Sequence, residues 1–178
     1  MRPSALFFAA LALAAGPALA ATEPVQIKPS LLRLNGNLEV PDGTKLAGEN
    51  VLLLVHGTLS HDRQETIAAL QKNLRDRGLA TLAITLSLGV DNREGPRSCD
   101  VLHDYALAGA QREINLWVTW LAAHGTSRID ILGFSRGGAQ VAAMAPGGAA
   151  VVMATGIAVS PIVASSRSSP VITDPGHR

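Results

Sequence analysis

The segment of residues 128–139, with the sequence RIDILGFSRGGA, constrains the fold most. An apolar run breaks at a glycine-flanked serine, Ser135, and restarts as a small-residue helical pattern. This order predicts a strand, a sharp turn at Ser135 and a helix over residues 136–145. A serine in a strained turn brings the residues two before and two after it against neighbouring backbone, and Gly133 and Gly137 avoid a Cβ clash there. G-x-S-x-G alone is a weak signal, because a serine in such a turn can simply cap the helix.

The first twenty residues carry the three features of a secretory signal. Arg2 precedes an apolar block over residues 6–15, and Gly16-Pro17 leads into the small-residue ending Ala18-Leu19-Ala20. We expect cleavage after Ala20, because an uncleaved anchor would need a longer and unbroken apolar block. Residues 1–20 are therefore predicted to be a signal peptide of a periplasmic or secreted protein, with no stable membrane span after cleavage.

The rest of the chain is long enough for one domain with a substantial core. We place that domain at residues 21–160 and a flexible tail at residues 161–178. The net charge is only +1, and no basic cluster follows a helix face, so nucleic acid is not an expected partner. Cys99 is the single cysteine, which excludes an internal disulfide. The spacings typical of zinc sites are missing from the sequence, and we predict neither a metal nor a cofactor.

Aliphatic runs alternate with helical patterns along this domain. Strands are predicted over residues 51–55, 79–86, 128–132 and 149–160, and helices over residues 62–77, 101–124 and 136–145. Residues 31–40 are predicted to form an antiparallel hairpin or an edge strand around Asn35-Gly36. Uninterrupted apolar strands are typical of sheets covered on both faces. The pattern predicts an α/β three-layer sandwich with a mostly parallel sheet and crossover helices.

Two motifs in this order resemble the α/β-hydrolase family. Val55-His56-Gly57-Thr58 ends the first aliphatic run, and the elbow at Ser135 ends the third, with two helices and one strand between them. The resemblance covers about residues 31–160 and implies this fold, incomplete at its C-terminal side. It further implies a serine hydrolase of esterase, lipase or peptidase-like type, acting on an ester, thioester or amide bond through an acyl-enzyme. Few aromatic residues leave a small-molecule ester or acyl substrate as the expected partner.

The resemblance also implies roles for individual residues. Ser135 would be the nucleophile, and the backbone N–H groups of Thr58 and Arg136 would form the oxyanion hole. His56 and Gly57 would shape the oxyanion loop rather than act on the substrate. Three other histidines, His61, His103 and His124, are predicted to lie on the surface. The polar loop over residues 88–98 is also predicted to be exposed.

The segment after Ser135 is short for a hydrolase of this kind. Asp174 and His177 are the only acid and the only histidine that follow the serine, and they stand in the family's order of serine, acid and histidine. They are therefore the candidate acid and base, although the tail that holds them is predicted to be flexible. Three interpretations remain: a truncated relative of a longer hydrolase, which we favour, a compact enzyme, or a non-catalytic remnant or binding module. Missing strands would leave a sheet edge uncovered and promote self-association.

Overall fold

A computed structural model describes residues 21–29, 31–103, 105–144, 152–154 and 157–162. The predicted signal peptide and nearly all of the predicted tail, with Asp174 and His177, lie outside these residues. The elements follow in the order β1 (Ala21–Ile27), β2 (Leu34–Val40), β3 (Asn50–Val55), α1 (Glu65–Arg75), β4 (Ala80–Thr85), α2 (Leu107–Ala123), β5 (Arg128–Phe134), α3 (Arg136–Ala142), β6 (Val152–Ala154) and β7 (Ile157–Ile162).

Seven strands form one sheet in the order β1-β2-β4-β3-β5-β7-β6. The central strand β3 pairs in parallel with β4 and β5, and antiparallel pairs follow on both sides. Parallel neighbours need a crossover connection, and α1 and α2 provide it between β3 and β4 and between β4 and β5. The predicted α/β class with crossover helices is confirmed, with the parallel pairing confined to the centre of the sheet.

The central strands are covered on both faces, which makes three layers. On one face, Leu53 and Val55 of β3 belong to a buried cluster with Ile114 and Trp117 of α2, and α3 joins the same cluster. On the other face, Leu54 packs in a smaller cluster around Ile67 of α1. Successive strand residues point to opposite faces, so an uninterrupted aliphatic run such as residues 51–55 supplies both clusters.

Two predicted elements differ from the structure. Residues 149–160 were expected to form one strand, but β6 and β7 form an antiparallel hairpin, with β7 antiparallel to β5. A continuous apolar run does not distinguish one strand from two. The predicted hairpin or edge strand around Asn35-Gly36 is also wrong, because β2 runs straight through this position and is paired with β1 on one side and β4 on the other. A Cβ at Gly36 would lie 3.0 Å from the Ala83 carbonyl oxygen, so this glycine permits a close approach inside a strand.

Two of the three helices begin later than the sequence pattern predicts and end within two residues of the predicted ends, whereas α3 begins at the predicted Arg136 and ends at Ala142 rather than at residue 145. The helix expected from residue 101 begins at Leu107, and the one expected from residue 62 begins at Glu65. Gly78 and Gly125 follow α1 and α2 with φ of 79° and 80°, the left-handed conformation that ends helices. Among the described residues, no helix is both long enough and apolar enough to cross a membrane.

Candidate active site

Ser135 occupies the sharp turn between β5 and α3. Its backbone has φ 49° and ψ −118°, a conformation that non-glycine residues rarely adopt. Such strain costs about 1–3 kcal/mol and persists only where the surrounding structure imposes it. The serine is exposed, so the turn presents its side chain to solvent at the end of the parallel strands.

The glycines that flank the elbow are required by backbone contacts. A Cβ on Gly133 would lie less than 3.0 Å from backbone atoms of Gly137 and Gly138. A Cβ on Gly137 would lie 2.5 Å from the carbonyl oxygen of His56 and 2.6 Å from that of Val55. The steric reason predicted for both glycines is therefore present, and Gly137 is the point at which α3 touches the end of β3.

The loop after β3 lies against this elbow. A Cβ on Gly57 would be 3.3 Å from the Cβ of Ser135, so the two segments are in van der Waals contact. Thr58 and Arg136 line one cavity of about 30 Å³, large enough for a single small group. Its other lining residues are His56, Gly57, Leu59, Leu86, Leu88, His103, Tyr105 and Gln140. Within the described part of the chain, neither the Thr58 N–H nor the Arg136 N–H donates a hydrogen bond.

His56 is buried and both of its ring nitrogens are occupied. Nδ1 donates to the Gly57 carbonyl oxygen at 2.7 Å, and Nε2 accepts from the Leu86 N–H at 3.1 Å and from Arg93 at 2.9 Å. Because an arginine can only donate, Nε2 must be the unprotonated nitrogen. Burial lowers the pKa of His56 to about 4, and the neighbouring Arg93 adds to this effect. His56 is thus a neutral, fixed ring that lines the cavity. It has no free nitrogen to accept a proton from the serine.

Arg93 is the site residue that the sequence did not reveal. It lies in the loop over residues 88–98, which was expected to be exposed, yet only 6% of its surface is accessible. Besides the bond to His56, its guanidinium donates to the carbonyl oxygens of Leu86 at 2.7 Å, Ser60 at 2.8 Å and Gly95 at 2.5 Å. Burial lowers the pKa of Arg93 to about 10, so it is charged at neutral pH. A turn-rich polar pattern does not show which of its side chains points inward.

A buried carboxylate, Glu113 of α2, lies near Tyr105, one of the residues that line the cavity. It accepts hydrogen bonds from the Ser87 N–H at 2.7 Å and the Ser87 hydroxyl at 2.5 Å, and its charge offsets that of Arg93. Tyr105 borders the cavity, and its buried hydroxyl lies near Glu113 without forming a hydrogen bond of normal geometry to any described residue. Burial raises the pKa of this hydroxyl, and the nearby Glu113 raises it further. The cavity is therefore lined by a neutral phenol as well as by the loop backbone.

The remaining histidines lie in different surroundings. His103 is exposed as predicted, but it lies in the loop before α2 and lines the cavity. His124 caps the C-terminal end of α2, where its Nδ1 lies 2.7 Å from the Trp120 carbonyl oxygen. His61 is 21% exposed, beside the buried Asp62. Nowhere in the described ranges do three or more histidine, cysteine, aspartate or glutamate residues form a group that could hold a metal ion.

Comparisons with known proteins give matches among solved structures alone. No protein-family model matches the chain, and a search of curated proteins found no significant match. The dienelactone hydrolase of Anabaena variabilis is 21% identical, with a TM-score of 0.58 over 71% of this chain and 57% of that one. Est1E of Butyrivibrio proteoclasticus, solved with ferulic acid bound, is also 21% identical, with a TM-score of 0.56 over 67% of this chain and 46% of that one.

A further match is a serine hydrolase homologue from Coxiella burnetii, which is 19% identical with a TM-score of 0.51 over 68% of this chain and 55% of that one. The chain thus spans about half the length of the structures that it matches. Identities this low establish the fold rather than the activity. The strand order, the crossover helices, the strained serine turn and these matches agree, and the chain has the α/β-hydrolase fold.

Proposed function

We propose that the protein is a serine hydrolase that cleaves an ester, thioester or amide bond of a small molecule through an acyl-enzyme. The proposal rests on one observation: the loop after β3 contacts the turn between β5 and α3 at Ser135. The strained turn exposes the serine, and the cavity beside it is lined by Thr58 and Arg136, whose N–H groups have no acceptor within the described residues. The structural matches include a dienelactone hydrolase and a serine hydrolase homologue, which supports the same class.

Each proposed role follows from the chemistry of acyl transfer. The Ser135 hydroxyl attacks the carbonyl carbon of the substrate, and a base removes its proton during the attack. The carbonyl oxygen becomes an oxyanion, which the N–H groups of Thr58 and Arg136 stabilise. Collapse of this intermediate expels the leaving group and leaves the acyl group on Ser135, and water then releases it by the same steps. Loss of one oxyanion donor typically slows such reactions by about 100-fold to 1000-fold.

His177 is the proposed base, oriented by Asp174. The order of Ser135, Asp174 and His177 along the chain supports this assignment, and both ring nitrogens of His56 are already occupied. His103 is the competing histidine, because it lines the cavity beside the oxyanion loop. The two can be separated by substitution, and the exposed His103 can be replaced without removing a core contact.

Labelling with a fluorophosphonate probe tests the proposal. The purified protein should be labelled, and Ser135→Ala should abolish the label, because the probe forms its bond with an activated serine oxygen. His177→Ala should slow labelling by roughly 100-fold or more, the usual contribution of a general base. His103→Ala is the matched control and should label at the rate of the unmodified protein.

Two results of this experiment would contradict the proposal. A folded protein that is not labelled would exclude an activated serine and favour a non-catalytic binding module. Rapid labelling of His177→Ala together with slow labelling of His103→Ala would retain the hydrolase and move the base to the loop before α2. Near-ultraviolet circular dichroism of each variant checks that the fold is intact.

We also propose that the protein is exported, as a periplasmic or secreted enzyme. Arg2, the apolar block of residues 6–15 and the Ala18-Leu19-Ala20 ending support this proposal. Protein recovered from the periplasm or medium of an expressing bacterium should begin at Ala21 on N-terminal sequencing. Ala20→Arg should prevent cleavage, because the processing site accepts only small residues. Full-length protein found solely in the cytoplasm would show that the segment is not a signal.

A further inference from the structure

The loop of residues 57–60 holds a strained residue next to a proposed oxyanion donor. Leu59, which follows Thr58, has φ of 55°, in the left-handed region that leucine rarely adopts. The direction of the Thr58 N–H depends on the backbone on either side of it. A strained residue at this place requires contacts from outside the loop to maintain it.

Those contacts come from the segment of residues 93–97. The Arg97 N–H donates to the Leu59 carbonyl oxygen at 2.8 Å, and the Arg93 guanidinium donates to that of Ser60 at 2.8 Å. Within the loop itself, the Ser60 N–H donates to the Gly57 carbonyl oxygen at a longer 3.3 Å. The far end of the loop is therefore tied down by hydrogen bonds from a distant part of the chain.

Arg93 also reaches the near end of the same loop. It donates to Nε2 of His56, and Nδ1 of His56 donates in turn to the Gly57 carbonyl oxygen. The bond from Arg93 to Leu86 joins this arrangement to the end of β4. One buried guanidinium thus connects both ends of the loop to the central sheet.

An arginine at this buried position has a clear energetic cost. Taking a charged group out of water is unfavourable, and a well-packed apolar residue is often at least as stabilising. The guanidinium offsets this cost with four hydrogen bonds directed at fixed acceptors, which its planar shape allows and an ammonium does not. These directed hydrogen bonds indicate that Arg93 fixes the positions of the backbone and of the His56 ring around it, rather than filling space in the core.

We propose that Arg93 is a positioning residue that holds the loop of residues 57–60 so that the Thr58 N–H faces the cavity. It touches no reacting atom and acts through His56 and Ser60. The catalytic part of this inference rests on the proposed function, whereas the holding of the loop does not. Groups whose charges act on His56 or Arg93 are His61, Asp62, Arg97, Tyr105 and Glu113.

Arg93→Met tests the inference, because it keeps the length of the side chain and removes every donor. Three measurements apply to the full chain: exchange of the Ser60 and Arg97 amide protons, the pKa of His56 by NMR, and the rate of fluorophosphonate labelling. Both amides should exchange at least tenfold faster. The pKa of His56 should rise from about 4 towards its ordinary value, since a donor and a positive charge leave Nε2. Labelling should slow by roughly 100-fold, the effect of a small misplacement at a reacting site.

Two further variants complete the experiment. Arg33→Met is the matched control, because the Arg33 side chain binds Asp91 of the same loop as Arg93 but makes no hydrogen bond to His56 or to residues 57–60, and it should change none of the three measurements. Arg93→Lys keeps the charge with fewer directed donors, so it should fold and show smaller changes in the same direction. If Arg93→Met does not fold, the measurements on Arg93→Lys decide the test.

The outcomes separate this inference from the proposed function. Unchanged amide exchange and an unchanged His56 pKa in a folded Arg93 variant would overturn it, whatever the labelling rate. Wild-type values in Arg93→Lys for all three measurements would also overturn it, because the geometry of the guanidinium would then be dispensable. Altered exchange and pKa in a protein that is never labelled would support the holding of the loop and contradict the hydrolase.

Discussion

Gly137→Ala is expected to lower the free energy of unfolding by about 3 kcal/mol or more, at the upper end of overpacking effects. The added Cβ would lie 2.5 Å from the His56 carbonyl oxygen and 2.6 Å from the Val55 carbonyl oxygen. The Val55 oxygen cannot move away freely, because Val55 is paired with β4 on one side and β5 on the other, and His56 follows it directly. The clash must therefore be relieved by moving α3 away from the sheet, which disrupts the elbow.

Urea unfolding followed by circular dichroism measures this effect. Gly95→Ala is the matched control, because a Cβ there meets no atom within 4 Å and its φ is not in the left-handed region. It should change the free energy of unfolding by less than about 0.5 kcal/mol. Equal stability of the two variants would show that α3 does not pack on the end of β3 as described.

Acid is expected to destabilise the protein through His56. Its pKa in the folded protein is about 4, below the ordinary 6.5 that it has in the unfolded chain. Between these two values the unfolded chain binds a proton that the folded protein does not. Stability should therefore be constant above pH 6.5, fall as the pH falls to about 4, and then level off with respect to this residue. The total loss is about 3 kcal/mol, at 1.36 kcal/mol for each unit of pKa difference.

Chemical denaturation at a series of pH values between 7 and 4 checks this prediction. His56→Asn removes the titrating ring and should flatten the pH dependence in this range, even though the variant is less stable throughout. His124→Asn, at the exposed end of α2, is the control and should retain the slope. Arg33 lowers the pKa of Asp91 to about 2, so Asp91 changes the stability mainly below pH 4 and does not contribute to the slope measured here. A slope that persists in His56→Asn would contradict the assignment.

The elbow was predictable because its signal is local. Gly133, Ser135 and Gly137 are close in sequence, and the steric requirement that links them arises within one strand, one turn and one helix. The aliphatic runs of β3, β4 and β5 were recognisable for a similar reason, since strands buried on both faces consist mostly of apolar side chains. The order of strands and helices then implied the fold.

Arrangements that depend on distant segments were not predictable. The apolar run after α3 is compatible with one strand or two, and it is the pairing with β5 that makes β7 antiparallel. Asn35-Gly36 has the sequence of a tight turn, but Trp117 and β4 occupy the space against which Gly36 lies. In both places, packing from elsewhere in the chain overrides the local preference.

The sequence by itself determined the alternation of strands and helices from β3 to α3, the serine turn and the glycines that this turn needs. Only the tertiary structure decided which polar groups are buried around it. Arg93 and Arg97 lie in the same polar loop, yet Arg93 is the one whose guanidinium reaches Ser60, Leu86 and His56. The physical reason is that a strained turn is imposed by neighbouring residues, whereas the burial of a charge depends on acceptors supplied by separate strands and loops.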